Sequence, residues 1–381
     1  MFVQRVPYII SASTAPTQLQ KCLSIMTKVT ESKSKRLRKI ESGRPTLEDV
    51  ARRAEVSTAT VSRYFSAPEK VRQVMRLRVQ MAVGELGYTP HGAARALASQ
   101  HSNTIGAVIP TLDNAIFATM VQTLQNELSA KGKTLLLAAS DYDPVRERGQ
   151  IENLIVRGID GLMLTGEARD PAVYALLERH GIRYANTYVH HPASRHPTIG
   201  FDNRRAMHKV IGYLYDLGHR SFAMIAGITK GNDRAAERVA GVREALSQSG
   251  LALDSSRILE QPYSIAAGRT ALRGLCSSAD RPTAIVCGND VLALGALLEA
   301  TALGLRVPED VSITGFDDLD LAREIGPGLT TVHAPLKEMG RLTAEYLLTT
   351  EETDDSPLHH ELPAELVVRG STGPVPDHGS A

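Results

Sequence analysis

From residue 102 onward, short apolar runs alternate with longer segments whose apolar residues recur at helical spacing. The runs at 105–110, 135–140, 161–165, 184–189, 199–202, 222–226, 258–261, 284–288, 312–316 and 329–332 read as strands, since brief continuous apolar runs between turn signals suit strands covered on both faces. Residues 117–131, 146–157, 204–217, 234–249, 266–276, 290–303 and 336–349 read as amphipathic helices. Strand–helix alternation of this kind predicts parallel sheets with helices on both faces. The strands are too many for one comfortable sheet core, so two such units are expected. Gly218 and Gly304 are expected to end helices.

Residues 44–89 have a different rhythm. Thr46 before Leu47-Glu48-Asp49-Val50-Ala51 reads as a helix N-cap with acids in the first turn. A turn at Glu55-Val56 leads to a second cap, Ser57, and a second short helix over 58–65. A third helix spans 72–86, with Val74, Leu77, Met81 and Leu86 near helical spacing on one face, and Gly87 ends it. Three short helices, the first two joined by a tight turn, make a helix-turn-helix. Residues 90–101 are Ala-rich and too short to hold a helix without a partner surface. Residues 1–43 are expected to be a disordered basic extension and 373–381 a disordered tail; Met26 is an alternative start to Met1.

Charge sharpens this division. The chain of 381 residues carries a formal net charge of +1, yet residues 1–101 hold 17 Lys+Arg against 7 Asp+Glu, and the remainder holds 26 against 35. A basic head on an acidic body suggests that the head meets a polyanion. The 3 cysteines, Cys22, Cys276 and Cys287, lack metal or disulfide spacing and point to a reducing compartment. No apolar run reaches the roughly 18 residues of a membrane-spanning helix. The composition argues against a membrane protein, a secreted disulfide scaffold and a disordered chain.

Several motifs, in order along residues 44–372, resemble the lactose-repressor (LacI/GalR) family. In the head these are Pro45-Thr46-Leu47-Glu48-Asp49-Val50-Ala51, Val56-Ser57-Thr58-Ala59-Thr60-Val61-Ser62-Arg63 and Leu86-Gly87-Tyr88-Thr89-Pro90. In the body they are Ile105-Gly106-Ala107-Val108-Ile109-Pro110, Gly218-His219-Arg220, Asn289-Asp290 with Ala293-Leu294-Gly295-Ala296, Val307-Pro308-Glu309-Asp310-Val311-Ser312-Ile313-Thr314-Gly315-Phe316-Asp317, and Glu365-Leu366-Val367-Val368-Arg369-Gly370-Ser371-Thr372. The resemblance implies an α/β protein with an all-α helix-turn-helix head at 44–89 and a hinge helix at 90–101. The body, 102–372, would have the periplasmic-binding-protein fold, two Rossmann-like subdomains crossed by the chain three times. It further implies a cytoplasmic, nucleoid-associated transcription regulator, expected to be a repressor. Such a regulator forms a homodimer, binds a palindromic operator in double-stranded DNA, and has its grip set by a small effector.

By motif position the resemblance carries base contacts onto Thr58, Ala59 and Arg63. An Arg can fork onto guanine, whereas Ala59 offers only a methyl group. Ser57, Thr60 and Ser62 are candidates for phosphate contacts, with N-capping and helix packing as the competing role of the hydroxyls, and the cap residue Thr46 joins the DNA-binding set. In the hinge, His91, Ala94 and Leu97 are carried over, Leu97 as the apolar wedge that would unstack a base step; packing against the body is its alternative. Effector contacts fall on Arg238, Asn289, Asp317, Phe201 and Tyr263, with Asn114 and Phe117 lining the other side of the cleft. A sugar, sugar acid, sugar phosphate or nucleobase suits that set, the Arg leaning toward a carboxylate or phosphate. Asp290 and Asp318 read instead as helix N-terminal acids.

Departures from the family pattern are also legible. Glu55 stands where a small residue is usual, Arg72 replaces a Ser/Thr cap, and His91 stands where Asn is common. His190, His191 and His196 lie in a Pro-containing loop without metal-ligand spacing, so a solvated loop is expected there. No nucleophile elbow, zinc-protease motif or phosphate loop occurs, and neither an enzyme nor a cofactor or metal is expected. A solute-binding protein of the same fold is the alternative reading; it has no use for a helix-turn-helix. The C-terminal segment lacks the leucine heptads of a tetramerising coil, which leaves a dimer.

Overall fold

The computed structural model describes residues 45–89, 102–113, 115–277, 280–349 and 357–375. They form two compact units, a helical head and an α/β body, described here in turn. The extension 1–43, the hinge 90–101 with His91, Ala94 and Leu97, and Asn114 lie outside the described residues.

Helix α1 of the head, Leu47–Ala54, starts at a reciprocal cap. The Thr46 hydroxyl accepts the Asp49 N–H at 3.2 Å, and the Asp49 carboxylate accepts the Thr46 N–H at 3.0 Å. The helix ends on Glu55 in the left-handed region, φ 55°, where a side chain costs about 1–2 kcal/mol. Helix α2, Thr58–Ser66, begins at Ser57, whose hydroxyl accepts the Thr60 N–H at 3.2 Å. Helix α3, Gln73–Leu86, starts at Arg72 without a side-chain cap, as expected, and closes on Gly87.

The core of the head joins Val50, Ala51 and Ala54 of α1, Val61 of α2, and Val79 and Ala82 of α3. This corrects the face read for the third helix. Small Ala and Val side chains let α3 approach α1 closely, so Val79, Ala82, Val83 and Leu86 turn inward, while Val74, Leu77 and Met81 remain exposed. Both faces of α3 carry apolar residues, and periodicity alone selected the wider one.

The body contains two six-stranded sheets. The first subdomain holds β1 (Thr104–Ile109), β2 (Thr134–Ala139), β3 (Gly161–Thr165), β4 (Arg183–Thr187), β5 (Thr198–Gly200) and β11 (His359–Glu361), in the order β11-β5-β4-β3-β1-β2. Its helices are α4 (Ala118–Ala130), α5 (Pro144–Val156), α6 (Pro171–Arg179) and α12 (Leu336–Leu348). The second holds β6 (Phe222–Gly227), β7 (Ile258–Gln261), β8 (Ala284–Cys287), β9 (Ser312–Asp317), β10 (Thr330–His333) and β12 (Glu365–Val367), in the order β12-β10-β9-β8-β6-β7. With it pack α7 (Asn203–Asp216), α8 (Asp233–Gln248), α9 (Ile265–Cys276), α10 (Asp290–Ala302) and α11 (Asp320–Glu324). Every strand pairing is parallel except β10–β12.

The chain passes between the subdomains three times, after β5, after β10 and between β11 and β12. Burial of the central strands on both faces explains why they read as unbroken apolar runs. Helices α6 and α11 add to those expected from the sequence; Asp170-Pro171, a cap followed by a proline at the first helical position, marks the start of α6. Gly218 and Gly304 follow helices α7 and α10 with positive φ. The body also runs past 372: Gly373 N–H donates to Ser312 Oγ at 3.1 Å, and Val375 N–H to the Leu217 carbonyl at 2.9 Å.

Candidate functional site

In the head, Thr58, Ala59 and Ser62 lie exposed in the N-terminal half of α2 and Arg63 lies exposed in its last turn, while Val61 on the opposite side is buried. Arg63 makes no ion pair with another described residue, so its guanidinium is available to a partner. Thr46 and Ser57 serve as N-caps, and the Ser57 and Thr60 hydroxyls lie 2.9 Å apart. Their capping role is therefore occupied in the head itself.

In the body, the carboxyl ends of the strands of both sheets face one cleft, the position at which open α/β sheets offer ligands their loops. Phe117 comes from the turn after β1, Tyr142 follows β2, and Tyr188 follows β4. From the second subdomain come Asn232 and Arg234 after β6, Tyr263 after β7, Asn289 after β8 and Asp317 at the end of β9. Together with Ile116 and Arg238 of α8 they enclose a cavity with about 20 Å³ of room, enough for one water-sized molecule. Tyr142 and Tyr263, one from each subdomain, stand 5.6 Å apart and also wall an open outer groove of about 1060 Å³.

Arg238 is held from three sides. Its Nε donates to Asn203 Oδ1 at 2.8 Å, its Nη1 to the Gly288 carbonyl at 2.6 Å, and its guanidinium lies 3.5 Å over the Phe316 ring. The Asp317 carboxylate is its nearest anion, at 3.9 Å. Both Asp317 oxygens are buried without a hydrogen-bond partner, and so is Asn289 Nδ2, while Asn289 Oδ1 caps α10 through the Leu292 N–H at 2.9 Å. Burial pushes the Asp317 carboxyl up to about 7, with Arg238 and Arg234 pulling the other way. Native interiors leave few such atoms unpaired, so two acceptors and a donor aimed into one cavity describe a site shaped for a polar guest.

The structure thus brings Arg238, Asn289, Asp317, Tyr263 and Phe117 together. Phe201 does not line the cavity. It is fully buried behind it, 6.5 Å from Tyr188 and 5.8 Å from Phe316, in an aromatic row that crosses from one subdomain to the other. Tyr142, Tyr188, Asn232 and Arg234 escaped the sequence reading. Asn232 and Arg234 are near enough in sequence to Arg238 for one helix start to present all three, which was the available signal. The aromatic residues come from loops whose convergence only the fold reveals.

Asp318 is an ion-pair residue, 2.6 Å from Arg369 and 3.0 Å from His333, and precedes α11 without capping it. Asp290 does open α10. His196 stacks on Tyr174 with ring centroids 3.6 Å apart and shares a hydrogen bond of 2.7 Å with Tyr184, so it is part of the packing rather than a solvated loop.

Residues 46–91 match the bacterial regulatory proteins of the lacI family, and residues 211–372 match the periplasmic binding protein-like domain. The transcriptional repressor CytR of Escherichia coli K12 is 34% identical over 335 residues, which span 87% of this chain and 97% of that protein. The chain belongs to the lacI family.

Within that family, the repressor PurR of Klebsiella pneumoniae is 31% identical, over 87% of this chain and 99% of its own. Among solved structures, a complex of the transcriptional regulator CelR with cellobiose is 30% identical with a TM-score of 0.64, covering 86% of this chain and 100% of that one. The lac repressor dimer bound to operator and an anti-inducer is 25% identical with a TM-score of 0.76, covering 87% and 100%. As a lacI-family member the chain is a DNA-binding transcription regulator rather than an enzyme. No helix among the described residues is long and apolar enough to cross a membrane.

Proposed function

We propose that this lacI-family regulator is a homodimeric repressor of a palindromic operator, and that an uncharged polyhydroxylated effector, a sugar, in the body cleft sets its hold on DNA. The observation that carries the effector reading is the pair of unpartnered Asp317 oxygens beside Asn289 Nδ2. Two acceptors side by side match the hydroxyl donors of a sugar, and an amide donor matches a ring or hydroxyl oxygen. Tyr263, Tyr142, Phe117 and Tyr188 supply apolar walls. An anionic sugar acid fits less well than the arginines alone suggest, because Asp233 engages Arg234 at 2.9 Å while Asn203 and Gly288 take up Arg238. A sugar cannot enter the 20 Å³ cavity as it stands, so binding requires the cleft to open and reclose, and any change passed to the head follows from that difference.

On the head, Thr58, Ala59 and Arg63 are the base-reading candidates. Thr46, Ser57, Thr60 and Ser62 are backbone contacts that fix register. The hinge residues His91, Ala94 and Leu97 complete the operator-binding set by family position.

The test is selection of binding sites from a random duplex pool with the full chain, followed by release measurements with D-glucose, D-ribose, cellobiose, cytidine and D-gluconate. A two-fold symmetric site whose occupancy changes with a neutral member of the panel supports the reading. Selection of no site, or a response to gluconate alone, contradicts it. Sedimentation that shows only monomer or tetramer at micromolar concentration contradicts the dimer.

A further inference from the structure

Asp290 opens α10 with its side chain fully buried, and its carboxylate turns away from the helix. One oxygen accepts the Leu319 N–H at 2.7 Å and the other the Thr331 hydroxyl at 2.6 Å. Leu319 belongs to the turn that leaves β9, and Thr331 lies on the neighbouring β10. That turn is unusual. Asp317 and Asp318 are consecutive non-glycine residues with φ of 109° and 57°, and such conformations persist only where the surroundings over-determine them. Asp318 is pinned on one side by Arg369 and His333. On the other, Asp290 fastens the next residue of the turn. Gly315 leaves the space for this carboxylate, because a Cβ at 315 would collide with it.

We infer that Asp290 is a positioning residue for the effector site: it holds the strained turn that aims the Asp317 carboxylate into the cavity. This rests on the reading of Asp317 as an effector-binding group. Burial, with the charge of Asp317 adding, pushes the Asp290 carboxyl up to about 8. An Asn matches the acid in shape: its amide oxygen can accept the Leu319 N–H and its amide nitrogen can donate to the Thr331 hydroxyl oxygen. An acid kept merely for the dipole of α10 would need its charge and would leave the turn indifferent to its loss.

Hydrogen–deuterium exchange of the full chain tests this without any ligand. Asp290→Ala is expected to accelerate exchange across residues 317–320 by about tenfold or more, while Asp290→Asn stays near wild type and α10 is unchanged. Unchanged exchange in the turn, or acceleration confined to α10, overturns the inference. If Asp290→Ala fails to fold, Thr331→Val, which removes one partner of the carboxyl, must accelerate the same residues.

Calorimetry with D-glucose, D-ribose, cellobiose and cytidine forms the second arm. For any of these that binds wild type, Asp317→Ala is expected to abolish binding. Asp290→Ala should weaken it about tenfold or more, and Asp290→Asn should restore it to within about threefold. Wild-type affinity in Asp317→Ala refutes the effector reading while the exchange result stands. Lost binding in Asp317→Ala with full affinity in Asp290→Ala refutes the present inference alone.

Discussion

Asp233, the first residue of α8, accepts the backbone N–H of Ala168 at 3.0 Å, and the two residues belong to different subdomains. The same oxygen accepts the Glu167 N–H, and the other oxygen engages Arg234. Arg234 in turn lies over Gly166, where any Cβ would collide with its guanidinium and where φ is +76°. Burial works against the Asp233 charge, yet Arg234 and three backbone N–H donors hold its carboxyl below the usual range. It is therefore ionised at neutral pH, and the clasp is lost only as pH falls through that lowered value.

Asp233→Ala should therefore open the cleft. Hydrogen bonds to a charged group are worth about 1.5–3 kcal/mol, enough to move a two-state equilibrium about tenfold or more. Small-angle scattering is expected to show a larger radius of gyration for the variant, and effector affinity should fall in proportion to the closed fraction. An unchanged scattering profile would show that the clasp does not govern closure.

Asp317 gives a pH signature. Its folded carboxyl is pushed up to about 7 by burial, above the ordinary carboxylate range of an unfolded chain. The folded state then binds more protons between those values, so this group's contribution is present in acid and is lost as pH rises through about 7. Asp317→Asn removes the loss. The melting temperature of the variant minus that of wild type should increase from pH 5 to pH 8; a constant or shrinking difference contradicts the burial assigned to this group.

The head yields two opposite expectations. Arg63→Ala should cost about 1–3 kcal/mol of operator binding and relax specificity at one base pair, read by competition between selected and single-substituted duplexes. A uniform loss across sequences would make Arg63 a phosphate contact instead. Glu55→Gly should stabilise the head by roughly 0.5–1 kcal/mol, since glycine adopts φ > 0 without strain. The exposed Glu55–Arg78 pair, at 3.9 Å, is worth little in return. Slower amide exchange over residues 47–86 is the expected readout.

The sequence carried the two-subdomain architecture because parallel strands buried on both faces leave continuous apolar runs, and because helix caps such as Thr46 and Ser57 are local. It carried Arg238, Asn289, Asp317 and Tyr263 through motif position. It misassigned Phe201, whose aromatic ring suits a cavity wall and a buried row equally; only the path of the chain after β5 decides between them. It missed Tyr142, Tyr188 and the Asp233 clasp because these join loops distant in sequence across the cleft. It misread α3 because Val74, Leu77 and Met81 keep helical spacing while remaining exposed.

The central claim is that Asp317 and Asn289 receive the hydroxyls of a neutral sugar. The most direct measurement is a thermal-shift screen of wild type, Asp317→Ala and Asn289→Ala against D-glucose, D-ribose, cellobiose, cytidine and D-gluconate. A ligand at a hundred times its dissociation constant stabilises by about 2.7 kcal/mol, which is visible as a shift in melting temperature. The account predicts a neutral compound that stabilises wild type and neither variant. Stabilisation of all three proteins alike, or of wild type by gluconate alone, would contradict it.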